Sequence, residues 1–289
     1  VGLKEIYWGV TEVTHLVNVI NQTDWVESFD QEQKLGQPMI HLTYLTNRSG
    51  TVDVFVLPIH RKRVFQSKAG RMRFPFIVKE DVVYESNAEE YRMDLAARWS
   101  HSFNIFDVGV SHFYGNNREP VLNLTSDFKL EQFYEVMHQT GLDVQATAGS
   151  WLIKFEGIRR ETELSTFVAS NIGIEYTFGN VNGKGLDIGF LSEYLFDDRG
   201  RLTTTGFQND IFVGSRIALN DNEDTSILFG GIFDLEQSSK MFTIEAERRF
   251  KDHFKANIEL RLFQDFNQND LFYPLRDDGF MKLNVGYHF

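Results

Sequence analysis

The chain has 289 residues, a formal net charge of −12, a mean hydropathy of −0.30 and no cysteine. The acidic balance argues against nucleic acid as a partner, and the missing cysteines fit an exported chain without a disulfide framework. No apolar run approaches the roughly 18 residues a membrane helix needs, which leaves a soluble fold and a β-barrel open, since barrel strands hide their hydrophobicity in alternation.

An aromatic content of 14%, with 27 Phe, favours the barrel, whose wall carries aromatic girdles at both membrane interfaces. The chain starts at Val1 rather than Met and reads as processed or incomplete, so a missing signal peptide carries no information about location.

Lys4-Glu-Ile-Tyr-Trp-Gly9 reads as the end of a strand that has lost its beginning. Polar, acidic residues follow over 11–37, with an apolar stretch at Leu16, Val17, Val19 and Ile20 that suits either a helical turn in a barrel mouth or an anchored loop. Strands are expected near 38–48 and 51–59, joined at Asn47-Arg-Ser-Gly50, then a long loop over 60–90. Strands near 91–102 and 104–115 turn at Ser102-Phe-Asn104, with Tyr91, Met93, Leu95, Ala97 and Trp99 on one face and Arg92, Asp94, Ala96, Arg98 and Ser100 on the other.

After a loop at 116–127, alternation runs from Phe128 to Ala148, about twice the length a tilted strand needs. One protruding strand is favoured over two joined at Thr140-Gly141. Further strands are expected near 151–162, 166–178, 185–197, 209–220, 224–235, 240–250, 254–265 and 280–289. In the last, Met281, Leu283, Val285, Tyr287 and Phe289 oppose Lys282, Asn284, Gly286 and His288.

About fourteen strands result, and every second connection, counted from the carboxy-terminus, is short. That parity predicts an all-β fold: a transmembrane antiparallel up-and-down β-barrel in the bacterial outer membrane, one domain over 1–289, with both termini periplasmic. Closure follows from the bilayer, because an open edge in lipid leaves backbone groups unpaired. All five prolines (38, 58, 75, 120, 274) fall in loops or at strand ends.

Phase places Arg92, Asp94, Arg98, Lys154, Glu156, Arg160, Glu175, Asp187, Glu193, Arg216, Glu245, Glu247, Arg249, Lys255, Glu259, Arg261 and Lys282 in the lumen. These charges nearly cancel, which suits a salt-bridged wall, a water-filled pore for small polar solutes, or both. Arg249, Lys255, Arg261 and Lys282 fall on three consecutive strands with Glu245, Glu247 and Glu259 interleaved, so part of the charge is paired, and the remaining positive field, with the basic loop at 60–73, predicts weak anion selectivity.

The loop residues Arg61, Lys62, Arg63, Lys68, Arg71 and Arg73 form a basic patch suited to lipopolysaccharide phosphates or to a constriction. Asp221, Glu223, Asp224, Asp265 and Asp270 suit turns better than calcium. Ser100, His101, Ser102, His112 and His138 lack the arrangement of a hydrolase relay, so no enzyme, cofactor or metal is expected. A plugged scaffold for a partner protein or a lipid-export complex is the alternative to a pore, and a homo-oligomer fits either.

The closing strand, ending on Phe289, resembles that of bacterial outer-membrane barrels. Tyr7-Trp-Gly-Val-Thr-Glu12, Val17-Asn-Val-Ile-Asn-Gln-Thr-Asp24 and Gly36-Gln-Pro-Met39, with Arg98-Trp-Ser-His-Ser102 and Leu219-Asn-Asp221, are similar to a group of proteobacterial porin-like outer-membrane proteins, loosely related to alginate-export-type barrels. The resemblance implies strands before the Trp-Gly segment, and so a natural barrel of sixteen or more. It assigns no activity to particular residues.

Overall fold

Period-two alternation becomes strand along most of the chain. The computed structural model describes residues 1–27, 32–46, 48–200, 203, 206–251, 253–268 and 270–287. In chain order its strands are β1 (Gly2–Lys4), β2 (Gln37–Thr46), β3 (Gly50–Leu57), β4 (Val78–Tyr84), β5 (Asp94–Phe103), β6 (Phe106–Asn116), β7 (Val121–Leu124), β8 (Leu130–Tyr134) and β9 (Val136–Ala148). They continue with β10 (Trp151–Glu161), β11 (Thr166–Phe178), β12 (Asp187–Asp197), β13 (Asn209–Ala218), β14 (Ser226–Asp234), β15 (Lys240–Phe250), β16 (Phe254–Gln264) and β17 (Phe280–Tyr287).

Fourteen of them make one antiparallel up-and-down sheet in the order β1-β2-β3-β5-β6-β9-β10-β11-β12-β13-β14-β15-β16-β17, with no pairing of β17 to β1 among the described residues. The other three form a small sheet, β4-β8-β7, with β8 parallel to β4 and antiparallel to β7. No helix among the described residues is long and apolar enough to cross a membrane, which says nothing of crossing by strands.

The chain divides into two compact units, residues 1–145 with 154–171, and residues 146–153 with 172–289. In the first, Phe55, Leu57, Ala96, Phe113, Met137, Ile158, Phe167 and Ala169 on the strands bury Trp8, Val17, Val19 and Ile20 from the amino-terminal segment. In the second, Phe212 lies over Gly214 and Gly230, where an added Cβ would stand 2.6 and 2.5 Å from its ring, so glycine is what lets the ring lie flat.

The opposite face is apolar and exposed in each unit. The first unit shows Leu42, Tyr44, Leu95, Trp99, Val110 and Tyr114 there; the second shows Phe190, Tyr194, Phe196, Phe229, Ile244, Met281, Leu283 and Val285. Strand alternation separates the two rows, as the sequence requires.

Four local expectations are corrected. The first strand is Gly2–Lys4, and residues 5–9 leave the sheet because Asn21 and Asn18 side chains accept from the Ile6 and Trp8 amides (2.9 and 3.4 Å). The loops at 60–90 and 116–127 contain β4 and β7. The stretch 128–148 is not one strand, nor does it break at Thr140-Gly141: it divides at Glu135 into β8 and β9. Gln132 and Tyr134 are buried before the break, Met137 and Gln139 after it, so the buried phase switches from even to odd. Asn47, His288 and Phe289, used in the turn and closing-strand expectations, lie outside the described residues.

Candidate functional site

In the first unit the charged face of the sheet is covered by the amino-terminal segment. Glu156 on β10 is fully buried and organises the contact. Its Oε1 accepts from the Val10 amide (2.6 Å), the Thr11 amide (3.0 Å) and the Thr11 hydroxyl (2.8 Å), while Oε2 accepts from the Val17 amide (3.2 Å). Bonds of this charge-assisted kind are about twice as strong as neutral ones. Gly9 (φ +139°) makes the approach possible, since a Cβ there would stand 2.9 Å from Glu156 Oε1.

Neighbouring strands hold the same segment. Asn171 Nδ2 on β11 donates to Thr14 O (2.9 Å) and Oγ1 (2.7 Å), Gln139 Nε2 on β9 to Leu16 O (3.2 Å), and Lys154 pairs with Glu12 at 3.4 Å. His15 stands 3.3 Å from Glu32 and 3.8 Å from Glu156, with the Tyr7 hydroxyl 2.9 Å from its Nε2. Burial pulls the His15 pKa down, but the charges of Glu156 and Glu32 outweigh it and raise it to about 9.

The other sequence-predicted residues of this unit are also engaged. Asp94, fully buried, takes Arg118 at 2.9 Å, the Asn116 amide at 2.8 Å and Arg92 at 3.5 Å. Arg98 and Asp143 form a two-pronged pair (2.6 and 2.7 Å) across Gly109. Arg160 donates to Gln139 (2.8 Å) and pairs with Glu119 (3.1 Å). Beside the segment lies an open cavity of about 460 Å³, lined by Tyr7 to Val10, Arg98, Ser100, Ser102, Asp107 and Asp143, among others.

The six basic loop residues are not all alike. Arg63 is buried, donating to Gln22 (3.2 Å) and to Arg118 O (2.9 Å) with its guanidinium over Trp25. Arg61 donates to Gly36 O and Lys62 to Glu80 O, whereas Lys68, Arg71 and Arg73 are exposed. His60, buried under the same loop, has its pKa pushed well down by burial and by Arg118.

In the second unit Arg261 binds Glu245 (2.7 Å) and Glu259 (3.1 Å), Lys255 binds Glu247 (2.8 Å), and Arg249 binds Asp224 in the preceding turn (3.1 Å). Lys282 stands opposite Glu259 in the ladder. Three of the four bases are thus ion-paired, and the fourth stands across from a glutamate that Arg261 already binds. Arg216 lies 3.8 Å from Glu175, Glu193 is buried beside Gly173, and Asp187 ties down a turn through the Asn180 amide and Asn220. Asp221 accepts from Thr225 and pairs with Arg248, Asp265 pairs with Lys240, and Asp270 accepts from the Asn267 amide. No cluster that would hold a metal occurs among the described residues.

No protein-family model, curated protein or solved structure matches the chain.

Thr11, Thr14, His15, Gln139 and Asn171 are site residues that sequence reasoning missed. The available signal was Val17-Asn-Val-Ile-Asn21, an apolar stretch interleaved with asparagines, which is the composition of a segment buried without a ladder of its own.

Proposed function

We propose that this chain is the wall of a porin-like outer-membrane β-barrel that passes small polar solutes along its charged face. The observation that carries the reading is the exposed apolar row on the strands of each unit, backed by a face of paired charges. A soluble monomer rarely leaves a contiguous apolar surface larger than a few hundred Å² exposed, whereas in a bilayer such a row is the required exterior. Lipid also requires every strand edge to be paired, so the sheet closes in the membrane, with added strands if the natural chain holds sixteen or more.

Connection lengths support the orientation. Residues 104–105 and 149–150 are tight turns, and the long connections 58–93 and 117–135 leave the opposite strand ends. The short side is periplasmic in this reading, and both termini with it. On the outer side the exposed Lys68, Arg71 and Arg73 suit lipopolysaccharide phosphates.

One observation favours a second reading, a plugged scaffold for a partner protein or a lipid-export complex: the segment pinned by Glu156 covers charged wall. Reconstitution of detergent-purified protein into a planar bilayer separates the two. Stepwise currents are expected from the channel. A silent protein that copurifies with a partner would favour the scaffold, and a stable monomer needing no detergent would refute both.

A further inference from the structure

The amino-terminal segment is held in two different ways along its length. Trp8 at one end and Val17, Val19 and Ile20 at the other are buried in the apolar core of the first unit. Between these anchors, half of residues 9–16 are polar and all but Thr11 are only half buried, with Leu16 packed against the core at the far end. No strand occurs among the described residues from 5 to 36, so 9–16 contribute nothing to the ladders of β9, β10 and β11, which pair with one another without them. Wall side chains bind this stretch, and three of those bonds, from the Val10 and Thr11 amides and the Thr11 hydroxyl, converge on one carboxylate, Glu156, which also takes the Val17 amide at the far anchor.

We propose that residues 9–16 form a flap, latched by Glu156, that narrows the path of solutes along the charged face of the first unit and opens when the latch lets go. The proposal rests on the channel reading above. Three features fit a moving part. Gly9, with its positive φ, is a hinge where the chain leaves the Trp8 anchor. The flap's near edge already borders the open cavity of about 460 Å³, which lifting the flap would extend over Lys154, Glu156 and Asn171. Local opening is also cheapest where buried apolar contacts are few, and here they lie at the two ends.

The test uses the full chain in detergent and then in a planar bilayer. The sequence has no cysteine, so Thr14→Cys gives a single thiol on the flap. In the Glu156→Ala background, maleimide labelling of that thiol is expected to accelerate about tenfold or more, because even one charge-assisted bond is worth that factor. Single-channel current is expected to rise with it, and Glu156→Gln, which keeps an acceptor, should fall between. Bridging Thr14→Cys to Asn171→Cys with a short bifunctional thiosulfonate should cancel the gain, and reduction should restore it. Heat-modifiable migration on a gel checks that each variant is folded.

Folded Glu156→Ala with unchanged labelling would overturn the latch. Faster labelling with unchanged current would overturn the flap's control of passage. Faster labelling with no current in any variant would overturn the channel reading, and control of passage with it, while leaving the latch in place.

Discussion

Gly109→Ala on β6 should destabilise the protein, although alanine is the better residue for a regular strand. An added Cβ would stand 2.1 Å from Arg98 Nη2 and 2.6 Å from Asp143 Oδ2. The guanidinium is the flexible partner and will move, but doing so breaks its two-pronged pair with Asp143, whose side chain is 5% exposed. Stranding one member of a buried pair costs about 3–5 kcal/mol, and removing a strand glycine returns only about 0.5–1 kcal/mol. The net loss is about 2–4 kcal/mol, read from the urea midpoint in detergent at constant slope. A double-mutant cycle with Asp143→Asn isolates the mechanism, because the alanine has less to break once the charge is gone. A wild-type midpoint for Gly109→Ala, or full additivity with Asp143→Asn, would refute the argument.

Alkaline pH should loosen the flap. The His15 pKa lies at about 9 in the fold against 6.5 ordinarily, so its contribution is complete below about pH 6.5 and is lost as pH rises through about 9, about 3 kcal/mol at most. Glu156, Glu32 and the Tyr7 hydroxyl are the groups that face it; the labelling rate at position 14, divided by that of a free thiol at the same pH, should rise between pH 7 and 10, and His15→Asn should abolish that rise. Arg261→Gln should leave Glu245 and Glu259, directly opposed in the ladder, without their shared cation. A loss of about 1 kcal/mol is expected, since Glu245 is half exposed and screened, with the reversal potential in a salt gradient moving toward cations. An unchanged potential would place this strip off the path of ions.

The strands were legible where both rows are strongly marked. Over 166–178 and 240–250 the alternation alone gives the observed ends, because each step between apolar and polar is also a step between the exposed and buried faces. The same rule misled at 128–148. An apolar residue inward in the small sheet and an apolar residue outward in the large one look alike, so the phase change at Glu135 left the apparent alternation intact. In the basic strip, phase gives both the bases and the interleaved Glu245, Glu247 and Glu259, but not which of them pair, nor that a turn carboxylate, Asp224, meets Arg249.

The latch was least accessible of all. Glu156 and Val10 are separated by 146 positions, and neither half of the contact is unusual by itself: one is a glutamate on a polar strand face, the other a run of backbone amides. What marks the segment in sequence is a mismatch, since Val17, Val19 and Ile20 require burial while the asparagines and threonines around them forbid a dry, ladder-free burial unless their backbone is bonded elsewhere. A charged strand face has surplus acceptors and donors, which is what such a segment lacks. The two needs offset one another, and the fold satisfies both by laying 10–17 on β9, β10 and β11. It follows that the acids and bases of this face cannot be read as lumen charges one at a time. Glu156 is spent on amides and Asp94 on Arg118, and the charge left for a solute is what remains after the protein has bound its own chain.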